Sequence, residues 1–540
     1  MKETIKKSPQ VLMLVILLLG FFEISLVPVF GDSFRSQQGL TEGWVRIISG
    51  GFNDTNQIGI NNFVEYDGYL YASVHNKRGG AEIWRTQDFA HWEMIERNGL
   101  GNTRNSHILL FVLKGNLYAG TFNKDDGAEL WISKDGVSFT QIVSKGLGDK
   151  DNIGIFSLPV LFKDKILVPV QNGQVGSIKD GAEIWVSEDG KTFKRSQGGG
   201  LGDPSNIGIY FHSTPFKDYL YLSTYNPVNG GEIWRTRDGV KWEKMVDKGF
   251  GVKENIIVHP LIIFKDHLYA VTYNLNGLNI FRSEDGKNWE KVVENGFNYG
   301  KYKNIWGLLT EINGVLYLTT VSTPTVGAFQ LWRSSDGKNW TQIGRTGFGN
   351  INNHFAGISL GPDGQFYLST LNGIDGVEAW KSKDSENWEM IFKEDRGYTS
   401  HTGAGLHYFK NYLYMLIYDV EKGIEIWKYM KPLVTTTTTT TAETTTETVV
   451  SKTTSPTPTQ TSTTMYTSQT SATQQSTVTP TITEQSTTIV STLTPATTES
   501  GRGITEYAII ASAAAAIAVT LYFILKIKLL ARPLPPPPPP

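Results

Sequence analysis

Cysteine is missing from all 540 residues, so the chain forms no disulfides. An exported chain without them has to be held by a large core, and a repeat region of about 400 residues can supply one. An excess of charge is missing too. Fifty Lys and Arg against 52 Asp and Glu leave a formal net charge of −2, which gives no electrostatic reason to expect a nucleic-acid partner. Uninterrupted apolar runs are confined to the two ends. No cofactor is expected.

At the start, Lys2, Lys6 and Lys7 precede an apolar run from Val11 to Phe22, with small residues near Gly31. This pattern predicts a signal peptide over 1–31. Near the other end, 435–503 is dominated by Thr with Ser, Pro and Gln. Such a stretch buries too little surface to offset its ordering entropy and reads as a disordered, O-glycosylated stalk. Extended at roughly 3.1 Å per residue, it would reach up to about 200 Å. Tyr507–Leu525 is uncharged and is followed by Lys526, Lys528 and Arg532. That order predicts a single transmembrane helix over 504–525 and a cytoplasmic tail over 526–540. The tail closes in a run of prolines from Pro535 to Pro540. The expected location is the plasma membrane, single-pass, with the bulk of the chain outside.

What fills 32–434 is a phrase said again and again: an apolar strand carrying Trp, an Asp-Gly turn and a second aromatic. It reads Glu183-Ile184-Trp185-Val186-Ser187-Glu188-Asp189-Gly190-Lys191-Thr192-Phe193, and again Glu232-Ile233-Trp234-Arg235-Thr236-Arg237-Asp238-Gly239-Val240-Lys241-Trp242. Apolar alternation on both sides of Asp-Gly marks a hairpin. Ser or Thr two places before the Asp can close the turn through its side chain. The strand aromatic recurs at Trp84, Trp131, Trp185, Trp234, Phe281, Trp332, Trp380 and Trp427, at intervals of 47 to 54. A period near fifty that holds four strands is the mark of a β-propeller blade. The expectation is an all-β, eight-bladed β-propeller, with seven blades as the alternative. Trp44 to Ile47 looks like an outer strand without a blade before it, and Trp427 ends a blade without an outer strand. Pairing the two would leave no open edge.

The Ser/Thr-x-Asp-Gly-x-x-Trp/Phe phrase at Thr86, Ser133, Ser187, Thr236, Ser283, Ser334 and Ser382 resembles the Asp-box (BNR) repeat of sialidase-type β-propellers. It is one residue shorter between Asp and aromatic than the usual form. The resemblance implies the fold; in that family the boxes lie away from the active face. The stalk-and-anchor layout without Cys resembles that of archaeal cell-envelope proteins.

A sialidase-like site would need three arginines around a carboxylate. Arg85, Arg235, Arg282 and Arg333 share one repeat position and read as framework, while Arg78, Arg104 and Arg396 lie in loops expected on the opposite face. Glu65 and Glu311 fall at the far end, and no carboxyl pair of glycosidase spacing can be named. His107, His212, His259, His354 and His401, one per repeat, do not read as a metal set. Neither Lys124-Asp125-Asp126-Gly127 nor Ile374-Asp375-Gly376 completes a calcium loop.

The candidate ligand face is a ring of amides. Asn105, Asn152, Asn206, Asn255, Asn304 and Asn353 each precede an innermost strand, with Gln57 in the first repeat. Asn76, Asn123, Asn172, Asn226, Asn274 and Asn372 stand in neighbouring loops, and Tyr210, Tyr225, Tyr273 and Trp306 offer flat faces for a sugar. The competing reading has these amides capping backbone groups in tight turns. Asn53 and Asn339 open N-glycosylation sequons. The resulting expectation is a chain that is not an enzyme: a non-catalytic surface recognition or adhesion module for a glycan or envelope protein. The alternatives are an extracellular glycosidase-like hydrolase and an architectural envelope component.

Overall fold

The computed structural model describes residues 43–431, apart from 174–177, 212–214, 299–302, 323–327, 373 and 395–400. The expected signal peptide, stalk, membrane span and tail, with His212 and Arg396, lie outside the described residues. Among the described residues no helix is long and apolar enough to cross a membrane.

The fold is all-β, a succession of antiparallel four-strand units. The first unit runs Gln57–Tyr66, Tyr69–Asn76, Glu82–Thr86 and Trp92–Glu96, each strand paired with the next. The pattern repeats down the chain to a unit whose strands are His401–Phe409, Tyr412–Asp419 and Glu425–Tyr429. Its fourth strand is Trp44–Ile48, which arrives from the other end of the sequence: Trp44 pairs with Tyr429 and Arg46 with Trp427. In two places adjoining units join through a bridge, Gly154 to Phe122 and Tyr225 to Ile257, and their strands merge into sheets of nine and eight.

The second strand of a unit is buried along almost its whole length; in Tyr69–Asn76 only Tyr69 is partly open. A strand covered on both faces needs side chains that are apolar or have hydrogen-bond partners, hence runs such as Leu-Tyr-Leu-Ser-Thr-Tyr at 220–225, where Thr224 Oγ1 donates to Asn206 Oδ1 at 2.8 Å. The cover comes from the units on either side. One hydrophobic cluster holds Leu117 with Ile83, another Leu167 with Leu220, and another Tyr317 with Leu368. Phe63 and Trp84 of the first unit cluster with Leu416 and Ile426 of the last.

The inner strand of the third unit is interrupted. It splits into Asn152–Gly154 and Val160–Phe162. Pro159, which has no N–H to give to a ladder, stands in the gap.

The Asp-Gly turns close as expected. Ser133 Oγ accepts from Gly136 N at 2.9 Å, and Asp135 Oδ1 accepts from Val137 N and Ser138 N at 2.9 and 2.7 Å. The N–H groups of Ser138 and Val137 hold the Asp135 carboxyl well below the usual carboxylate range. The Gly does more than relieve the turn. At Gly286 (φ +73°) an added Cβ would lie 1.9 Å from Tyr221 Oη of the preceding unit, and at Gly337 1.8 Å from Tyr269 Oη. A tyrosine of one unit is thus seated against the turn of the next. Where the turn lacks Gly the contact changes form: Tyr317 Oη donates to Ser385 Oγ at 3.0 Å, and Phe89 stacks on Tyr414.

Candidate functional site

The expected amides are buried. Asn105, Asn123, Asn152, Asn206, Asn226, Asn304 and Asn353 are all 0% exposed, with Asn255 at 1% and Asn76 and Asn274 at 5%. Each is spent inside its unit. In the second, Asn105 Nδ2 donates to Gly99 O and to Glu129 Oε2, both at 2.8 Å, and Asn105 Oδ1 accepts from Asn123 Nδ2 at 2.9 Å. Trp131 Nε1 donates to the same Glu129 oxygen at 3.0 Å. Asn123 Oδ1 accepts from the N–H groups of Asp125 and Asp126 and shapes the loop. The set recurs as Asn152, Glu183, Trp185 and Asn172, and as Asn206, Glu232, Trp234 and Asn226. Asn353, Glu378, Trp380 and Asn372 form it once more. An amide committed to a buried carboxylate and a turn carbonyl has nothing left for a sugar, so these asparagines form no ligand face.

The hub of each set is the carboxylate of Glu-x-Trp, which the sequence reading treated only as part of a strand. Its role explains two exceptions. In the fifth unit Phe281 has no indole N–H, and Asn279 takes the place of the Glu. In the sixth, Gln330 Oε1 accepts from Asn304 at 2.6 Å and Trp332 at 3.2 Å. Four hubs also carry a cation on Oε1: Arg195 on Glu183 at 2.9 Å, Lys244 on Glu232 at 2.6 Å, Lys393 on Glu378 at 3.3 Å and Arg46 on Glu425 at 3.1 Å.

The expected aromatic faces are covered too. Tyr225, Tyr273 and Trp306 are 0%, 3% and 6% exposed, and Tyr210 is partly buried with its ring 4.8 Å from that of His259. Trp306 Nε1 donates to His259 O at 2.8 Å. Of the histidines, His107 packs tilted against His75 with ring centroids 4.4 Å apart, and His259 is held neutral by burial, its pKa lowered to about 4. Among the described residues no group of three His, Cys, Asp or Glu is placed to hold a metal ion. Arg85, Arg235 and Arg282 are framework, paired with Glu93, Glu243 and Glu290, and Arg333 pairs with Glu386. Arg104 is paired with Asp126. Both sequon asparagines are exposed, but Asn339 Nδ2 is engaged by Asp336 Oδ2 at 2.7 Å.

The first unit departs from its sisters, and there a cleft of about 500 Å³ opens. Gln57 stands where the second to seventh units have Asn. Its bond to the hub is kept, Gln57 Nε2 donating to Glu82 Oε2 at 2.6 Å, but its bond to the entry loop is reversed: Gln57 Oε1 accepts from Phe52 N at 2.5 Å. Asn76 Nδ2 donates to Glu82 Oε1 at 2.8 Å and to Asp54 Oδ2 at 2.9 Å. The entry loop follows suit. In the second unit Leu100, which follows Gly99, is left-handed (φ 60°), whereas Phe52, which follows Gly51, is not. Phe52 stacks on Trp84 at 4.8 Å and both line the cleft, together with Asp54, Glu82, Arg78 and Arg97. Burial raises the Asp54 pKa, but bonds from Asn56 and Asn76 and the nearby Lys77 bring it below the ordinary value. Neither Arg78 nor Arg97 has an ion-pair partner among the described residues. The cleft therefore offers two uncommitted guanidinium groups beside an aromatic floor. The sequence signal that could have found it was Gln57 as the odd member of the amide series.

No family model matches the chain, and no curated protein matches it. Solved structures do. One of two prolyl endopeptidases analysed for inter-domain dynamics is 13% identical at a TM-score of 0.41, with 67% of this chain and 55% of that one covered. A puromycin hydrolase is 9% identical at 0.40, with 68% and 61% covered. The acylaminoacyl peptidase of Pyrococcus horikoshii is 10% identical at 0.34, with 67% and 57% covered. The chain thus spans between half and two thirds of the length of these proteins. All three are named as hydrolytic enzymes, and this finding corrects the expectation of a non-catalytic recognition or adhesion module that is no enzyme. Identities of this size assign no reaction to the chain.

Proposed function

We propose that the chain is an exported, closed eight-bladed β-propeller that takes a small carboxylate-bearing ligand in the cleft of its first blade. The observation that carries the ligand reading is the pair of arginines, Arg78 and Arg97, unpaired on the wall of a cleft that the Gln57 exception opens. Guanidinium groups bind carboxylates through paired, charge-assisted hydrogen bonds, and an aromatic floor supplies apolar contact. A volume of about 500 Å³ falls within the roughly 300–1,000 Å³ usual for small-molecule sites. Ring closure is supported by the pairing of Trp44 with Tyr429 and by the cluster that Phe63 and Leu416 share. The Ser–Asp turns support an Asp-box kind of propeller. Export and a C-terminal anchor rest on the charge and hydropathy of the two ends.

The test is titration calorimetry of the full-length chain against a panel of small mono- and dicarboxylates. Saturable binding that weakens at least tenfold in the Arg78→Ala, Arg97→Ala double variant is the expected result. Binding of no member, or binding indifferent to both arginines, overturns the reading.

A further inference from the structure

In the third and fourth units, the residue across the sheet from the hub tryptophan is the cation that sits on the hub carboxylate. Arg195 pairs with Trp185 in register and bonds Glu183; Lys244 pairs with Trp234 and bonds Glu232. In the seventh unit that place is held by Met390, and Lys393, in register with Glu378, supplies the cation instead. The first unit has neither arrangement. Met94 stands opposite Trp84, and Arg97, which follows the partner of Ile83 and so occupies the place of Lys393, makes no ion pair with Glu82. Glu82 is 6% exposed and accepts three neutral N–H groups, from Gln57, Asn76 and Trp84. Lack of a cation does not by itself make a site, since Glu129 of the second unit, with Gln141 opposite Trp131, forms no ion pair among the described residues either. At Glu82 the cation's place adjoins open space: Met94, Glu82 and Arg97 all line the cleft, as does Asp54.

We infer that this place belongs to the ligand, whose ammonium group sits beside Glu82 where Lys244 sits beside Glu232. With Arg78 and Arg97 on the same cleft, the ligand is a zwitterion, a short peptide with both ends free. The inference rests on the carboxylate reading above and adds the opposite end of the molecule. The chemistry follows from the sister units: a buried carboxylate gains most from a charged hydrogen-bond donor, and four of its counterparts already have one.

The experiment is calorimetry of the full-length chain with three probes: trialanine with free ends, its N-acetyl form and its C-terminal amide. Binding of the free peptide, weakened at least tenfold by either modification, is the expected result. The Met94→Lys variant installs the internal cation of the fourth unit and should lower affinity for the free peptide at least tenfold without lowering the melting temperature. Should that variant fail to fold, Glu82→Gln serves in its place, because the sixth unit already uses Gln330 at this position. Acetylation without effect, while amidation abolishes binding, overturns the inference and leaves the carboxylate reading standing. If none of the three probes binds while other carboxylates do, the inference falls alone; if no carboxylate binds at all, both fall.

Discussion

Phe89 of the first unit and Tyr414 of the last stack with ring centroids 4.0 Å apart and planes inclined by 26°. In four other units the tyrosine meets a glycine of the next turn: Tyr71 meets Gly136, Tyr118 Gly190, Tyr221 Gly286 and Tyr269 Gly337. Phe89 fills that seat with a ring, packed also against Phe63, Phe409 and His407. At this seat the first and last units are thus joined by a cluster of rings. Phe89→Ala keeps the left-handed backbone (φ 65°) and removes the ring. A loss of about 3–5 kcal/mol is expected by calorimetric unfolding, the range for a buried Phe truncated to Ala.

Two glycines of nearly equal φ separate backbone strain from steric exclusion. Gly68 (φ +75°) has nothing within 4 Å of a would-be Cβ, whereas Gly286 (φ +73°) has Tyr221 Oη at 1.9 Å. Gly68→Ala should cost about 1 kcal/mol, the cost of the left-handed conformation alone. Gly286→Ala should cost clearly more, and adding Tyr221→Phe should recover part of the difference. Equal melting temperatures for the two single variants would sink the account of the tyrosine seat.

Acid should destabilise the fold before its carboxylates titrate. Burial lowers the pKa of His75 and of His407 from 6.5 to about 4. Between those values the unfolded chain takes up protons that the folded chain refuses, so stability falls as pH drops below about 6.5 and this contribution levels off near pH 4. Each imidazole accounts for a loss on the order of 2–3 kcal/mol across that window. Denaturant unfolding from pH 7 to 4 should show the slope, and His407→Phe should flatten it. A midpoint constant over that range would contradict the burial of neutral imidazoles.

Gln57→Asn restores the residue of the sister units. It should pull the entry loop toward the self-contained arrangement that Asn105 makes with Gly99 and Glu129. Ligand binding should weaken at least tenfold, while the melting temperature of the ligand-free chain stays within a few degrees. Unchanged affinity in this variant would show that Gln57 does not open the cleft.

Much of this was legible along the chain. The period of the aromatics gave the strands, the Asp-Gly turns gave the hairpins, and the unmatched ends gave the pairing of Trp44 with Tyr429. The function was less legible, because the repeated asparagines look alike whether they face solvent or a carboxylate. On sequence alone Asn105 and its counterparts offer a candidate face, and the fold turns them inward against Glu129 and its counterparts. A polar residue at a fixed repeat position says that its surroundings repeat and does not say on which side water lies.

The sequence by itself determined the all-β architecture, since alternation and turn chemistry act between residues close along the chain. Only the tertiary structure decided which polar groups remain free. That depends on what Glu82, Glu129 and their kin meet once strands distant in sequence come together, and Gln57 and Asn105 meet the same kind of carboxylate but bond their entry loops in opposite directions.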